Sequence, residues 1–196
     1  MTMTDTEAIL AGVREWADEN GVDIDPVDDA NIVVVLPGEK KLKTNVSISV
    51  AARTVQLQAF IIRHPDENAE AFNRWLLMKN LKPGPVAFAL DKLGDVHLVA
   101  SVPRHRLLEE LDSLLGAILA TADSSFNELL QLGFLTGMKK EWAWRVSRGE
   151  STRNLAAFED VLSGPNNEFL QEAAIEPPPS PEMQAETRTQ TPATDT

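Results

Sequence analysis

Residues 63–103 read RHPDENAEAFNRWLLMKNLKPGPVAFALDKLGDVHLVASVP, and this stretch decides the fold. Proline, two acids and an asparagine at 65–68 read as a helix start: proline is tolerated in a first turn, and acids there meet the positive end of the helix dipole. Ala69, Phe72, Trp75, Leu76 and Lys79 then recur at helical spacing. The run 80–85 stops that helix. Two apolar segments follow, 86–90 and 96–102, joined by Asp91-Lys92-Leu93-Gly94-Asp95. That is a β-hairpin with turn residues at its tip.

Upstream, 5–20 predicts a helix, with Thr4, Asp5 or Thr6 as cap, Ile9, Leu10, Val13, Trp16 and Ala17 on one stripe, and Asn20-Gly21 closing it. The acidic segment 23–29 reads as a solvated connector. The β-branched run 32–36 predicts a strand covered on both faces, ended by Pro37-Gly38. Leu42, Thr44, Val46, Ile48 and Val50 alternate with polar residues, and Val55, Leu57, Ala59 and Ile61 repeat the pattern after a short turn. Connections this short favour an antiparallel meander.

Downstream, Leu107, Leu108, Leu111, Leu114, Leu115, Ile118 and Leu119 mark a strong helix over 104–122. Ser125-Phe126-Asn127-Glu128 has capping-box form and predicts a new helix, closed at Gly133. Residues 138–146 fit helix or strand, and Lys139, Lys140 and Glu141 favour helix. A short helix is expected over 152–162. The fold class is α+β: a five-stranded antiparallel sheet in the order helix, three strands, helix, two strands, helix, with extra C-terminal helices. Residues 1–163 form the domain. Residues 164–196, with Pro177-Pro178-Pro179 and few apolar anchors, read as a disordered Pro/Thr-rich acidic tail.

Composition narrows the function. The 196 residues carry a net charge of −12, which disfavours nucleic acid. The excess is uneven: 1–30 hold nine acids and one base, whereas 31–103 hold six acids and nine bases. No cysteine is present, which removes disulfides and thiolate chemistry and suits a cytoplasmic setting. No apolar run is long enough for a bilayer, and the first residues do not resemble a secretory signal. His64, His97 and His105 form no metal-ligand spacing, so neither metal nor cofactor is expected. Asp91 and Asp95 read as turn residues, no glycine pattern cradles phosphate, and no serine sits in a nucleophile elbow. An enzyme is not expected.

Two surfaces remain as candidates. Lys40, Lys41 and Lys43, with Arg53 and Arg63, form a basic set suited to an anion such as a nucleotide phosphate. Phe72, Trp75 and Leu76 are the candidate partner-binding residues.

Several segments resemble the YbjN family as it occurs in actinobacteria: Lys40-Lys41-Leu42-Lys43-Thr44, the 64–68 run leading to Trp75-Leu76-Leu77, Ala89 to Asp95, Phe126-Asn127-Glu128-Leu129-Leu130, Gly133-Phe134, and Glu141-Trp142-Ala143-Trp144-Arg145. The resemblance spans roughly residues 5–150. It implies a fold similar to bacterial type III secretion chaperones and a regulatory role in sensory transduction. It attaches no catalytic residue. It further implies a module that holds a protein or peptide partner, with a homodimer, and Phe72, Trp75 or Leu76 at its seam, among the expectations. The alternative is a small-molecule or nucleotide sensor at the basic loop.

Overall fold

The computed structural model describes residues 4–82 and 84–170. The chain divides into two compact units, residues 1–134 and residues 135 onward. The first unit opens with α1, Asp5–Asn20, where Thr4 Oγ1 accepts from the Glu7 amide and Glu7 answers with its carboxylate on the Thr4 amide. Then come strands β1 (Asp23–Pro26), β2 (Asn31–Pro37), β3 (Lys43–Val50) and β4 (Thr54–Ile62), helix α2 (Ala69–Asn80), and strands β5 (Ala87–Leu90) and β6 (Val96–Pro103).

The sheet is fully antiparallel, in the order β1-β2-β3-β4-β6-β5. It has six strands where the periodicity predicts five. The extra one is β1, taken above for a connector: Ile24 pairs with Val34 and Asp25 with Val33. Its side chains stay largely in solvent, so backbone pairing to β2 makes it a strand and no apolar alternation announces it. A second correction concerns β2. Ile32, Val34 and Leu36 are buried while Val33 and Val35 are half-buried, so this strand is fully covered on one face only.

The buried face continues through Val46 and Ile48, Val55, Leu57, Ala59 and Ile61, and Val96, Leu98 and Val102. A register shift between Phe60 and Ile62 lets both Ile61 and Ile62 turn inward. Val13 of α1, Phe72 and Leu76 of α2, and Leu107, Leu111, Leu115, Ile118 and Leu129 complete this core.

Those last residues belong to α3, one helix running Leu107–Arg148. The break expected at Ser125 does not occur: α3 runs through it, and its hydroxyl donates back to the Thr121 carbonyl at 2.6 Å, as a serine inside a helix does. Nor does Gly133 close a helix; it lies inside α3, buried beneath the 65–67 loop. Residues 138–146 are helical, as favoured above.

In the second unit a 3-10 turn, Arg153–Phe158, leads into α4, Glu159–Leu162. Asn167 is buried and donates to the Leu162 carbonyl at 2.7 Å and the Lys139 carbonyl at 3.2 Å. The first seven residues of the segment read as a tail are thus described, while 171–196 lie outside the described residues.

Candidate docking surface

The 63–68 segment is a laced loop, and α2 begins only at Ala69. Pro65 and the acids therefore precede the helix, a correction to the helix-start reading. The amides of Asp66 and Glu67 donate to the Gly133 carbonyl at 3.0 and 3.2 Å. Asn68, at φ 53°, donates its side-chain amide to the Leu132 carbonyl; asparagine accepts this left-handed backbone more readily than most residues. Arg63 grips Asp66 through two contacts of 2.6 Å and lies 4.5 Å from the centre of the Phe134 ring. That guanidinium holds the Asp66 carboxyl below the usual carboxylate range.

His64 is tied into the same lacing. Its amide and Nδ1 both contact Asp95 Oδ1, at 2.7 and 3.1 Å. Asp91 Oδ1 accepts the amides of Leu93 and Asp95, as an aspartate does when it closes a turn. Among the described residues no group of three or more metal-ligating side chains converges. A cleft of about 390 Å³ lined by Gln56, Gln58, Gly84, Pro85, Val99 and Ser101, among others, presents amides and a hydroxyl.

The structure separates the five candidate anion-binding residues. Lys43 opens β3 and Arg63 follows β4, at one end of the β3–β4 hairpin, whereas Arg53 stands in the turn at the other end. At about 3.3 Å per residue, the strand length between Lys43 and Arg53 puts them more than 20 Å apart. Arg63 is engaged by Asp66, as described. The Lys41 ammonium sits 5.8 and 5.3 Å from the Phe60 and Phe126 ring centres, and burial pushes its pKa down.

The loop between β2 and β3 does bind a carboxylate, its own. Asp123 Oδ1 of α3 accepts the amides of Glu39, Lys40 and Lys41 at 2.9, 2.7 and 3.1 Å. Gly38 permits the approach: a Cβ there would fall 2.4 Å from the Lys41 carbonyl oxygen. Burial raises the Asp123 pKa, but the three amides and the charge of Lys40 outweigh it, so the carboxyl lies below its ordinary value. A carboxylate with a depressed folded-state pKa stabilises the fold fully above its unfolded pKa, about 3.9, and loses that contribution as pH falls through the folded value. Asp123→Ala is therefore expected to destabilise the fold by about 1 kcal/mol at neutral pH, since solvent screening reduces the worth of its contacts. The gap to wild type should close in urea melts below about pH 4; a constant gap from pH 7 to pH 3 would contradict the assignment.

The partner-binding candidates divide differently. Phe72 and Leu76 are buried, at 0% and 4% exposure, and belong to the core of the first unit. Trp75 is half-buried; its indole donates to Glu128 Oε2 at 3.0 Å, with the Lys79 ammonium over its ring. The outward side of α2 and its C-cap instead presents Leu77, Met78 and Leu81, exposed by 71%, 65% and 84%. These three fall outside the stripe that the periodicity picks out. Their signal is the unbroken run Trp75-Leu76-Leu77-Met78, since one helix stripe absorbs about half of four consecutive apolar residues. Beside them Asn80 satisfies the outer edge of β5: its amide donates to the Phe88 carbonyl and its carbonyl accepts the Phe88 amide, at 3.0 and 2.8 Å.

A chain with this six-stranded antiparallel sheet, and α2 inserted before its last hairpin, matches the YbjN family, described as "Putative bacterial sensory transduction regulator", over residues 10–131. The chain belongs to the YbjN family. An uncharacterized protein of Mycobacterium tuberculosis is 46% identical over 128 residues, covering 65% of this chain and 70% of the relative. One from Mycobacterium leprae is 44% identical over 156 residues, covering 79% and 83%. The fold is similar to a solved structure of the ExsC–ExsE complex, with a TM-score of 0.51 at 22% identity over 65% of this chain and 97% of the other. A further similar structure, with a TM-score of 0.46 at 17% identity over 61% and 96%, is the ExoU–SpcU complex of the Pseudomonas aeruginosa type III secretion system. The YbjN match takes in α2, the basic loop and the Asp123 contact, and stops short of the second unit. No helix among the described residues is long and apolar enough to cross a membrane.

Proposed function

We propose that this YbjN protein is a non-enzymatic, cytoplasmic docking module that holds a protein segment against the outward face of α2. The observation that carries this reading is the exposure of Leu77, Met78 and Leu81 within little more than one helical turn. A large apolar side chain gains about 1.5–3 kcal/mol on full burial, so covering three contributes on the scale of a micromolar complex before the costs of association. Phe72 and Leu76 support this face from beneath, and Trp75 forms its flank. The ExsC–ExsE structure, similar in fold, is itself a complex of two proteins. An anion sensor that used the backbone amides of residues 39–41 would require Asp123 to leave them first.

A photo-reactive residue at position 81 tests the reading in cells, with one at Asn45 on the sheet as control. Crosslinks to another protein are expected from position 81 and not from position 45. Equal yields from both would remove the proposal. Because these side chains already meet water, the double substitution Leu77→Ser and Leu81→Ser is expected to change stability by less than about 0.5 kcal/mol while abolishing those crosslinks. Light scattering at micromolar concentration reports whether a homodimer forms.

A further inference from the structure

The docking face carries a charge, and the charge selects its occupant. Between residues 74 and 82 stand Arg74, Lys79 and Lys82 and no acidic residue, in a chain whose net charge is −12. By the 3.6-residue spacing Arg74 shares the outward face with Leu77, Met78 and Leu81, and Lys82 directly follows Leu81, the C-cap; both cations are exposed. Lys79 is turned aside, onto the Trp75 ring and within 3.5 Å of Glu128. Glu70 stands one turn before Arg74, so the positive character belongs to the C-terminal half of the face.

Two further features weigh against other occupants. A guest strand pairing with β5 would have to break both bonds between Asn80 and Phe88, because that amide already fills the outward pair of the edge strand. A second copy docking by a twofold axis would set this patch against itself, so that Arg74 and Lys82 meet a surface carrying the same positive excess. An acidic partner meets the same cations with opposite sign, which favours both its encounter and its register.

We propose that the α2 face binds an acidic amphipathic helical segment of another protein. Its apolar side chains cover Leu77, Met78 and Leu81, and its carboxylates meet Arg74 and Lys82. This rests on the docking reading above and adds the partner's chemistry to it.

The test uses the full chain and two labelled peptides of about 16 residues with leucine at helical i, i+3, i+4 spacing, one carrying Glu and the other Lys at the flanking positions. In fluorescence anisotropy the Glu peptide is expected to bind, more weakly as salt rises, and the Lys peptide to bind at least about tenfold less tightly. Leu81→Ser should weaken the Glu peptide by about tenfold or more. The pair Arg74→Glu and Lys82→Glu should reverse the preference between peptides. Equal binding of the two peptides, or none by the Glu peptide, overturns the inference; if position 81 still crosslinks to another protein, the docking face survives that failure. A homodimer dissolved by Leu81→Ser also overturns it, by showing that the face takes a second copy. Loss of crosslinks as well as peptide binding removes both readings.

Discussion

Phe72→Ala is expected to lower the unfolding free energy by about 3–5 kcal/mol, the usual range for emptying a buried phenylalanine site. The ring has no exposed surface, packs into the sheet-facing core, and closes against the stretch of α3 around Gly133. A rigid sheet on one side and a continuous helix on the other leave little room to collapse into the cavity, which places the cost toward the upper end. Against a typical stability of about 5–15 kcal/mol, that loss is a large part of the whole. Leu77, five residues along the same helix, gives the opposite result: at 71% exposure, Leu77→Ala should move a urea midpoint only slightly. The pair of measurements separates the two faces of α2. If Phe72→Ala left the midpoint unchanged and removed partner binding instead, the interior placement of this ring would be wrong, and with it the assignment of docking to Leu77, Met78 and Leu81.

The contrast shows where sequence periodicity stops. Ile32, Val34, Val46, Ile48, Val55 and Leu57 alternate with polar or half-buried neighbours, so β2, β3 and β4 follow from composition and spacing. β1 does not: Asp23-Ile24-Asp25-Pro26 has the composition of a connector, and only its pairing with β2 makes it a strand. Within α2, four consecutive apolar residues fit two orientations of the helix, and the choice is made by Gly133, some sixty residues downstream. Ser125 carries the same local signature whether it starts a helix or sits inside one; within α3 its hydroxyl bonds back to the Thr121 carbonyl one turn earlier. The basic side chains of the 40–43 loop suggest an anion site, but nothing in their spacing announces that the backbone amides of 39–41 hold Asp123, more than eighty residues away in the chain. Local pattern fixes which residues seek burial or charge, while the partner that satisfies them is set by tertiary contact.

Gly133 is the position where that tertiary contact is tightest. A Cβ placed there would lie 2.7 Å from Pro65 Cβ and 3.1 Å from Cδ2 and Cε2 of Phe72. Neither neighbour yields easily: a pyrrolidine ring is rigid, and the Phe72 ring is enclosed. The Gly133 carbonyl also holds the amides of Asp66 and Glu67, so displacing Pro65 pulls on both bonds. In an unobstructed helix, exchanging glycine for alanine is favourable by about 1 kcal/mol, because alanine loses less backbone entropy and has the higher propensity. At Gly133 that gain is opposed by overpacking of about 1–3 kcal/mol and by the strained loop bonds, each worth about 1 kcal/mol. Gly133→Ala should therefore destabilise, and Gly133→Val should cost still more, about 3 kcal/mol or above, since a branched side chain adds two further clashing atoms. Gly116, in the same helix, supplies the control, since a Cβ added there would meet nothing within 4 Å. Gly116→Ala should stabilise by up to about 1 kcal/mol. Opposite signs at two glycines of one helix cannot come from propensity alone. If both substitutions stabilised the protein equally, the 65–67 loop would not lie across α3, and the anchoring of α2 that exposes Leu77, Met78 and Leu81 would fall with it.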